Sequence, residues 1–139
     1  MAKRIFEKAI KKEDAIAQAK RYLANAKETI AKSQIDRYGK IYTDSKYVRE
    51  GAGIAYLAAL KAFDGWLLGK GISPDKLPKS IEEYWQVEKK IPYNGKLSSD
   101  FTLVYQNLHI GAYYQGLVSV NTVKEGLRAV KEIITMLEK

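Results

Sequence analysis

The stretch Tyr47–Gly71, YVREGAGIAYLAALKAFDGWLLGKG, decides the fold. It is apolar around most of a helical circumference. Lys46, Glu50, Lys61 and Asp64 form one narrow polar stripe, and Gly51, Ala55, Ala58 and Ala62 form a strip of small residues across from it. Small side chains let a second helix approach closely. Glycine inside a helix costs about 1 kcal/mol against alanine, so Gly51 and Gly53 point to close packing or to function. The spacing predicts a central helix from about Asp44 to Leu68, capped by Thr43 or Asp44. Gly69 and Gly71 stop it, with Gly69 well placed for a left-handed cap.

Upstream, Ile16, Ala19, Leu23, Ala26 and Ile30 recur at alternating spacings of three and four. They predict an amphipathic helix over Asp14–Ser33. Ile5 and Ala9 continue its register and Lys12 breaks it, so the first dozen residues read either as an extension or as a separate short helix. SQIDRYGKIYTD, with Gly39, is a connection.

Downstream, GKGISPDKLPK is a loop. Ser80 and Glu83 have capping-box spacing and open a short charged helix from Ile81 to about Ile91. PYNG, Pro92–Gly95, ends it in turn chemistry. Ser98 or Ser99 caps a fourth helix. Asn121 or Thr122 starts a fifth, with Thr122 and Glu125 again at capping-box spacing and Val123, Leu127, Val130, Ile134 and Leu137 on one stripe. The expected fold is all-α: an up-and-down bundle of four long or medium helices plus one short helix, in a single domain over 1–139.

Composition narrows the function classes. The chain of 139 residues has no cysteine and one histidine, which excludes disulfides and thiolate metal sites. No ligand spacing marks a metal, and no cofactor is expected. The N-terminus is too charged for a signal peptide, and no run reaches the length of a membrane span, so a cytoplasmic protein without membrane contact is expected. Net charge is +8, and Lys outnumbers Arg nineteen to five. Many lysines lie near a carboxylate on the same helix, as on ordinary solvated faces, although the charge also permits contact with nucleic acid, a nucleotide or an acidic partner. GAGIAY sits inside a helix and lacks the third glycine of a phosphate loop, and GKGIS has Gly where Ser or Thr should follow the lysine.

From Phe101 to Val123 there is no Lys, Arg, Asp or Glu in a chain with 29% charged residues. Gln106, Asn107, His109, Gln115 and Asn121 rule out a membrane span. Two causes are open: burial in a monomer core, or a face shared with a second subunit, for which tyrosines and amides are suited. A homodimer through this fourth helix combines the two. His109 has Tyr105 and Tyr113 four residues away on either side, and neither phenol is a proton acceptor at neutral pH. The expectation is a hydrogen-bonded structural histidine.

The order of elements resembles the HEPN superfamily of prokaryotic and eukaryotic nucleotide-binding helical domains. AIAQAKRYLANAKETIAKS precedes the Ala- and aromatic-rich helix containing AYLAALKAFDGWLL, and a short charged helix then leads to LVYQNLHIGAYYQG and a closing amphipathic helix. The similarity covers about residues 13–139 and is closest to bacterial members with no assigned function. It implies an all-α bundle, frequent dimerisation, and association with a nucleotide or RNA. The ribonucleases of that superfamily carry Arg followed four to six residues later by His. Here the nearest preceding Arg is Arg49, sixty residues before His109, so that pair does not transfer.

Three readings follow. The first is a non-catalytic binding module for a nucleotide, RNA or a protein partner. The second is a structural or oligomerising subunit. The third is an enzyme of nuclease-like kind using His109. No catalytic residue is assigned. If a site exists, Glu50, Tyr56, Asp64, His109, Tyr113 and Tyr114 are its candidates, with basic contacts from Lys11, Lys12, Lys46 or Arg49.

Overall fold

The computed structural model describes residues 11–92 and 94–139. It is all-α, as expected, with α1 (Lys12–Ala31), α2 (Ser45–Gly69), α3 (Ile81–Lys90), α4 (Gly95–Leu103) and α5 (Val120–Glu138). A single 3-10 turn spans Pro74–Lys76, and a π-helical segment spans Val104–Tyr114. The question raised by residues 1–10 lies outside the described residues. Among the described residues, β pairing is limited to the isolated bridges Ile35–Tyr42 and Ile41–Ser119. No described helix is long and apolar enough to cross a membrane.

The small residues of α2 do what their size allows. A Cβ added at Gly51 would come within 2.3 Å of Ile30 and 2.8 Å of the Ala26 carbonyl oxygen, so α1 rests almost on the backbone of α2. Further along, Gly65 faces Ile16 and Gly69 faces Lys12, which sets the two helices antiparallel. Ala52, Ala55, Ala58, Ala59, Ala62 and Phe63 are fully buried, making α2 the axis of the core. An ion pair joins Lys20 to Glu138 near the end of α5, while Lys27 and Ile30 further along α1 share a groove with Lys124 and Leu127 near its start, so these two helices are also antiparallel.

Both expected caps of α2 and α3 form. The Asp44 side chain accepts from the Lys46 amide at 3.1 Å. The Ser80 hydroxyl accepts from the Glu83 amide at 3.3 Å, and the Glu83 carboxylate accepts from the Ser80 amide at 3.1 Å. Three boundaries differ from the sequence reading. The left-handed position after α2 falls to Gly71 (φ 92), not Gly69, because the amides of Gly71 and Ile72 turn back to the carbonyls of Leu68 and Leu67. Helix α4 begins at Gly95 after Asn94, three residues before Ser98. Helix α5 begins at Val120, and it is Ser119 whose hydroxyl accepts from the Thr122 amide, so Thr122 lies inside the helix rather than capping it.

The connection from α1 to α2 is pinned rather than loose. Asp36 accepts from the amides of Lys40 (2.8 Å) and Ile41 (3.2 Å), and Gly39 takes a left-handed φ of 72°. Tyr42 donates its amide to Val118, and Val120 donates to Lys40, so this loop is stitched to the entrance of α5.

Candidate functional site

The fourth rod changes its winding at Val104. Over the next eleven residues it is π-helical, and the Gln115 amide closes it on the Ile110 carbonyl at 2.9 Å. π-helix is rare and, where it occurs, frequently marks functional sites. Bonding one residue further back than in an α-helix lets residues four and five apart share a face. The sequence fits that winding. Val104, Leu108 and Ala112, spaced by four, are all buried. Gly111 leaves room for the backbone here, since a Cβ there would sit 3.0 Å from the Gln106 carbonyl oxygen. Leu108 packs over Gly126 of α5, and Asn107 donates to the Thr122 carbonyl at 3.1 Å.

Next to that buried row runs an aromatic one: Phe101, Tyr105, His109 and Tyr113, also spaced by four. Trp85 of α3 joins it, 4.3 Å from Phe101 and 6.0 Å edge-on from Tyr105. His109 lies in the middle. Its ring stacks on Tyr56 of α2 at 4.3 Å and 19°, and on Tyr113 at 6.0 Å and 8°, with Tyr105 at 5.5 Å. Tyr114 meets it edge-on at 6.4 Å. The Tyr113 ring in turn lies over Gly53, where a Cβ would stand 3.1 Å from it. Gly53 is the space this ring requires.

The imidazole therefore differs from the expected core histidine. It is half-buried, and no hydrogen bond to a described residue engages it; its partners are ring faces. The segment is not withdrawn from solvent throughout either, because Tyr113 is 47% and Tyr114 is 70% exposed. Burial pulls the His109 pKa below the ordinary histidine value, favouring a neutral ring at neutral pH. Burial, reinforced by Tyr105 and Glu82, pushes the Tyr56 phenol up to about 12. The Tyr56 phenol is thus held far from exchanging protons near neutrality.

The candidate residues separate into three places. Tyr56, His109, Tyr113 and Tyr114 converge. Asp64 does not reach them: it is buried beside α3, accepting from the Tyr84 hydroxyl at 2.9 Å, with Lys61 at 4.0 Å. Glu50 is exposed, and no described carboxylate forms an ion pair with His109. Arg49 lies across Gly116, just past Tyr114, and Lys46 sits 5.5 Å over the Tyr47 ring, so both stand at the same end of α2. Lys12 packs on Gly69 with Lys11 beside it, at the other end of α2, roughly 30 Å away at 1.5 Å per residue. Trp85 and Tyr105 belong to the aromatic face but not to the sequence-based candidates, and Leu57, 51% exposed, lies one turn beyond Gly53 on α2. The unbroken spacing of four from Phe101 to Tyr113 is the signal that locates most of it.

The family model for the domain of unknown function DUF5618 matches residues 14–139, nearly the whole chain. The chain belongs to the DUF5618 family. Among solved structures, a protein of unknown function from Dyadobacter fermentans is similar to this DUF5618 chain at 32% identity and a TM-score of 0.71, covering 93% of this chain and 98% of that one. No curated protein matches.

Proposed function

We propose that this DUF5618 chain is a non-catalytic, HEPN-like binding module that acts in the cytoplasm, and that it binds a protein partner, in the first instance a second copy of itself, through the aromatic face of the π segment. The observation that carries the reading is the combination of exposure and neutrality on that face. Tyr113 and Tyr114 are each about half exposed or more on a segment that carries no charge from Phe101 to Val123, and Leu57, 51% exposed, stands one turn beyond Gly53 on α2. Aromatic side chains with depleted charge are the composition of a buried interface core.

Charge argues for the same surface. Two copies of a chain carrying +8 repel one another over most orientations. The charge-free face is where they meet without opposing lysines, and a two-fold contact places the same tyrosines on both sides. The stacking of His109 between tyrosines supports a positioning role: it holds the Tyr113 ring against Gly53 and so fixes the shape of the face. The absence of a carboxylate partner for His109 among the described residues is why a binding reading is preferred to the enzymatic one.

Sedimentation velocity over a hundredfold concentration range tests this. A dimer is expected. Leu57→Asp and Tyr114→Ala, both at exposed positions, are expected to shift it to monomer while the fold is retained. A concentration-independent monomer would remove self-association. Binding of labelled single-stranded RNA that falls steeply with salt would instead favour a nucleic-acid partner.

A further inference from the structure

A second site lies away from the aromatic face, where the end of α1, the loop after it and the start of α5 enclose a groove of about 590 Å³. Its lining is apolar: Ile30 and Leu127 from the two helices, Ile35 and Tyr42 from the loop. Ile35 is 44% exposed there, a large aliphatic side chain left in water. Around it stand Lys27 of α1 and Lys124, Arg128 and Lys131 of α5.

Two features of this groove suit an anionic occupant. The first is charge. Arg128 is neutralised by Glu125 at 3.0 Å and Glu132 at 2.8 Å. Lys27, Lys124 and Lys131 form no ion pair with a described residue, so three unneutralised ammonium groups border one apolar surface. The second is the Tyr42 phenol: Tyr42 lines the groove, and its hydroxyl, which no described residue hydrogen-bonds, is open to solvent and free to donate to an anion.

We propose that this groove binds a small amphipathic anion: an acyl or alkyl body on Ile30, Ile35 and Leu127, and one carboxylate or phosphate head held by the lysines and the Tyr42 hydroxyl. The volume falls within the range of small-molecule sites, about 300–1,000 Å³. The chemistry of the lining separates the two ends of the ligand, since an apolar body is rewarded by the floor and a head group only if it is negative. The proposal does not depend on the dimer reading, because no residue is shared between the two surfaces.

The test is calorimetric titration of the full chain with decanoate, decyl phosphate and decan-1-ol, with amide shift mapping by NMR. The expected result is one site per chain, with shifts centred on Ile35, Tyr42 and Leu127, and with either anion preferred to the alcohol by about tenfold, the scale of several exposed ion pairs together. The tighter of the two anions identifies the head group. Lys27→Gln/Lys124→Gln/Lys131→Gln should remove the preference for charge, Tyr42→Phe should weaken the anion severalfold, and Ile35→Asp should abolish binding of all three probes. Equal binding of alcohol and anion, shifts centred on Tyr113 and Tyr114, or an unaffected triple variant would each overturn the proposal. So would a dimer that Ile35→Asp dissociates in a chain that binds no decanoate, since a second copy would then be the occupant.

Discussion

Asp64→Asn should make this protein more stable at neutral pH, although it removes a partner of a buried hydrogen bond. Asp64 is 5% exposed, and its carboxylate accepts one hydrogen bond from Tyr84 with Lys61 no nearer than 4.0 Å. Desolvation outweighs both favourable contacts and lifts its pKa from 3.8 to about 6. At about 1.4 kcal/mol per pH unit, keeping the carboxylate ionised in the fold costs about 3 kcal/mol. The sign follows from proton uptake: the folded-state pKa lies above the unfolded one, so the folded chain holds more protons between pH 4 and 6. The penalty is therefore absent near pH 4, grows as pH rises through 6, and is constant above. Asparagine keeps an oxygen for Tyr84 but adds an N–H that, left unpaired, returns about 1 kcal/mol. The net expectation is a gain of about 2 kcal/mol at about pH 7.5 and a loss of about 1 kcal/mol near pH 4. Urea unfolding of both proteins across that range measures the difference directly. Asp100, also raised to about 6, and Glu132, lowered to about 2, are common to both chains and cancel in the comparison. A difference independent of pH, or a less stable variant at pH 7.5, would refute the claim that desolvation dominates at Asp64.

Gly51→Ala should lower stability by about 2 kcal/mol or more, since the new methyl meets Ile30 and the Ala26 carbonyl and the backbone oxygen has no rotamer to escape into; thermal unfolding reads it. Ser80→Ala should cost about 1 kcal/mol by opening the capping box of α3, a change visible in the urea midpoint at constant slope. Tyr114→Ala, at a side chain 70% exposed, should leave stability within about 0.5 kcal/mol while weakening self-association, so that sedimentation and unfolding give opposite answers.

The regular helices were readable because their signals are local. The three–four alternation of Ile16, Ala19, Leu23, Ala26 and Ile30 survives as the buried face of α1, and Ser80 and Glu83 form the box their spacing announces. The π segment was not readable as such, although its sequence carries the mark. Spacing by four is compatible with an α-helix that drifts slowly around its axis. Only contact with Gly53, Gly126 and Tyr56 makes the wider winding preferable, and those lie eighteen to sixty residues along the chain from Leu108, His109 and Tyr113, which meet them. Asp64 stands apart from the aromatic candidates for a similar reason: its stripe on α2 is visible in sequence, but which neighbour it meets depends on where α3 packs, and Tyr84 takes it.

Sequence alone determined that this chain folds as helices around one small-residue helix, since periodicity, caps and side-chain volume act over a few residues. It also marked the charge-free segment, since composition needs no coordinates. Tertiary structure decided the rest: that His109 stacks instead of hydrogen-bonding, that the basic candidates sit at opposite ends of α2, and that Tyr42 lines a lysine-rimmed groove. These depend on which distant surfaces meet, and packing between helices is fixed by the fit of whole faces rather than by the residues next in line.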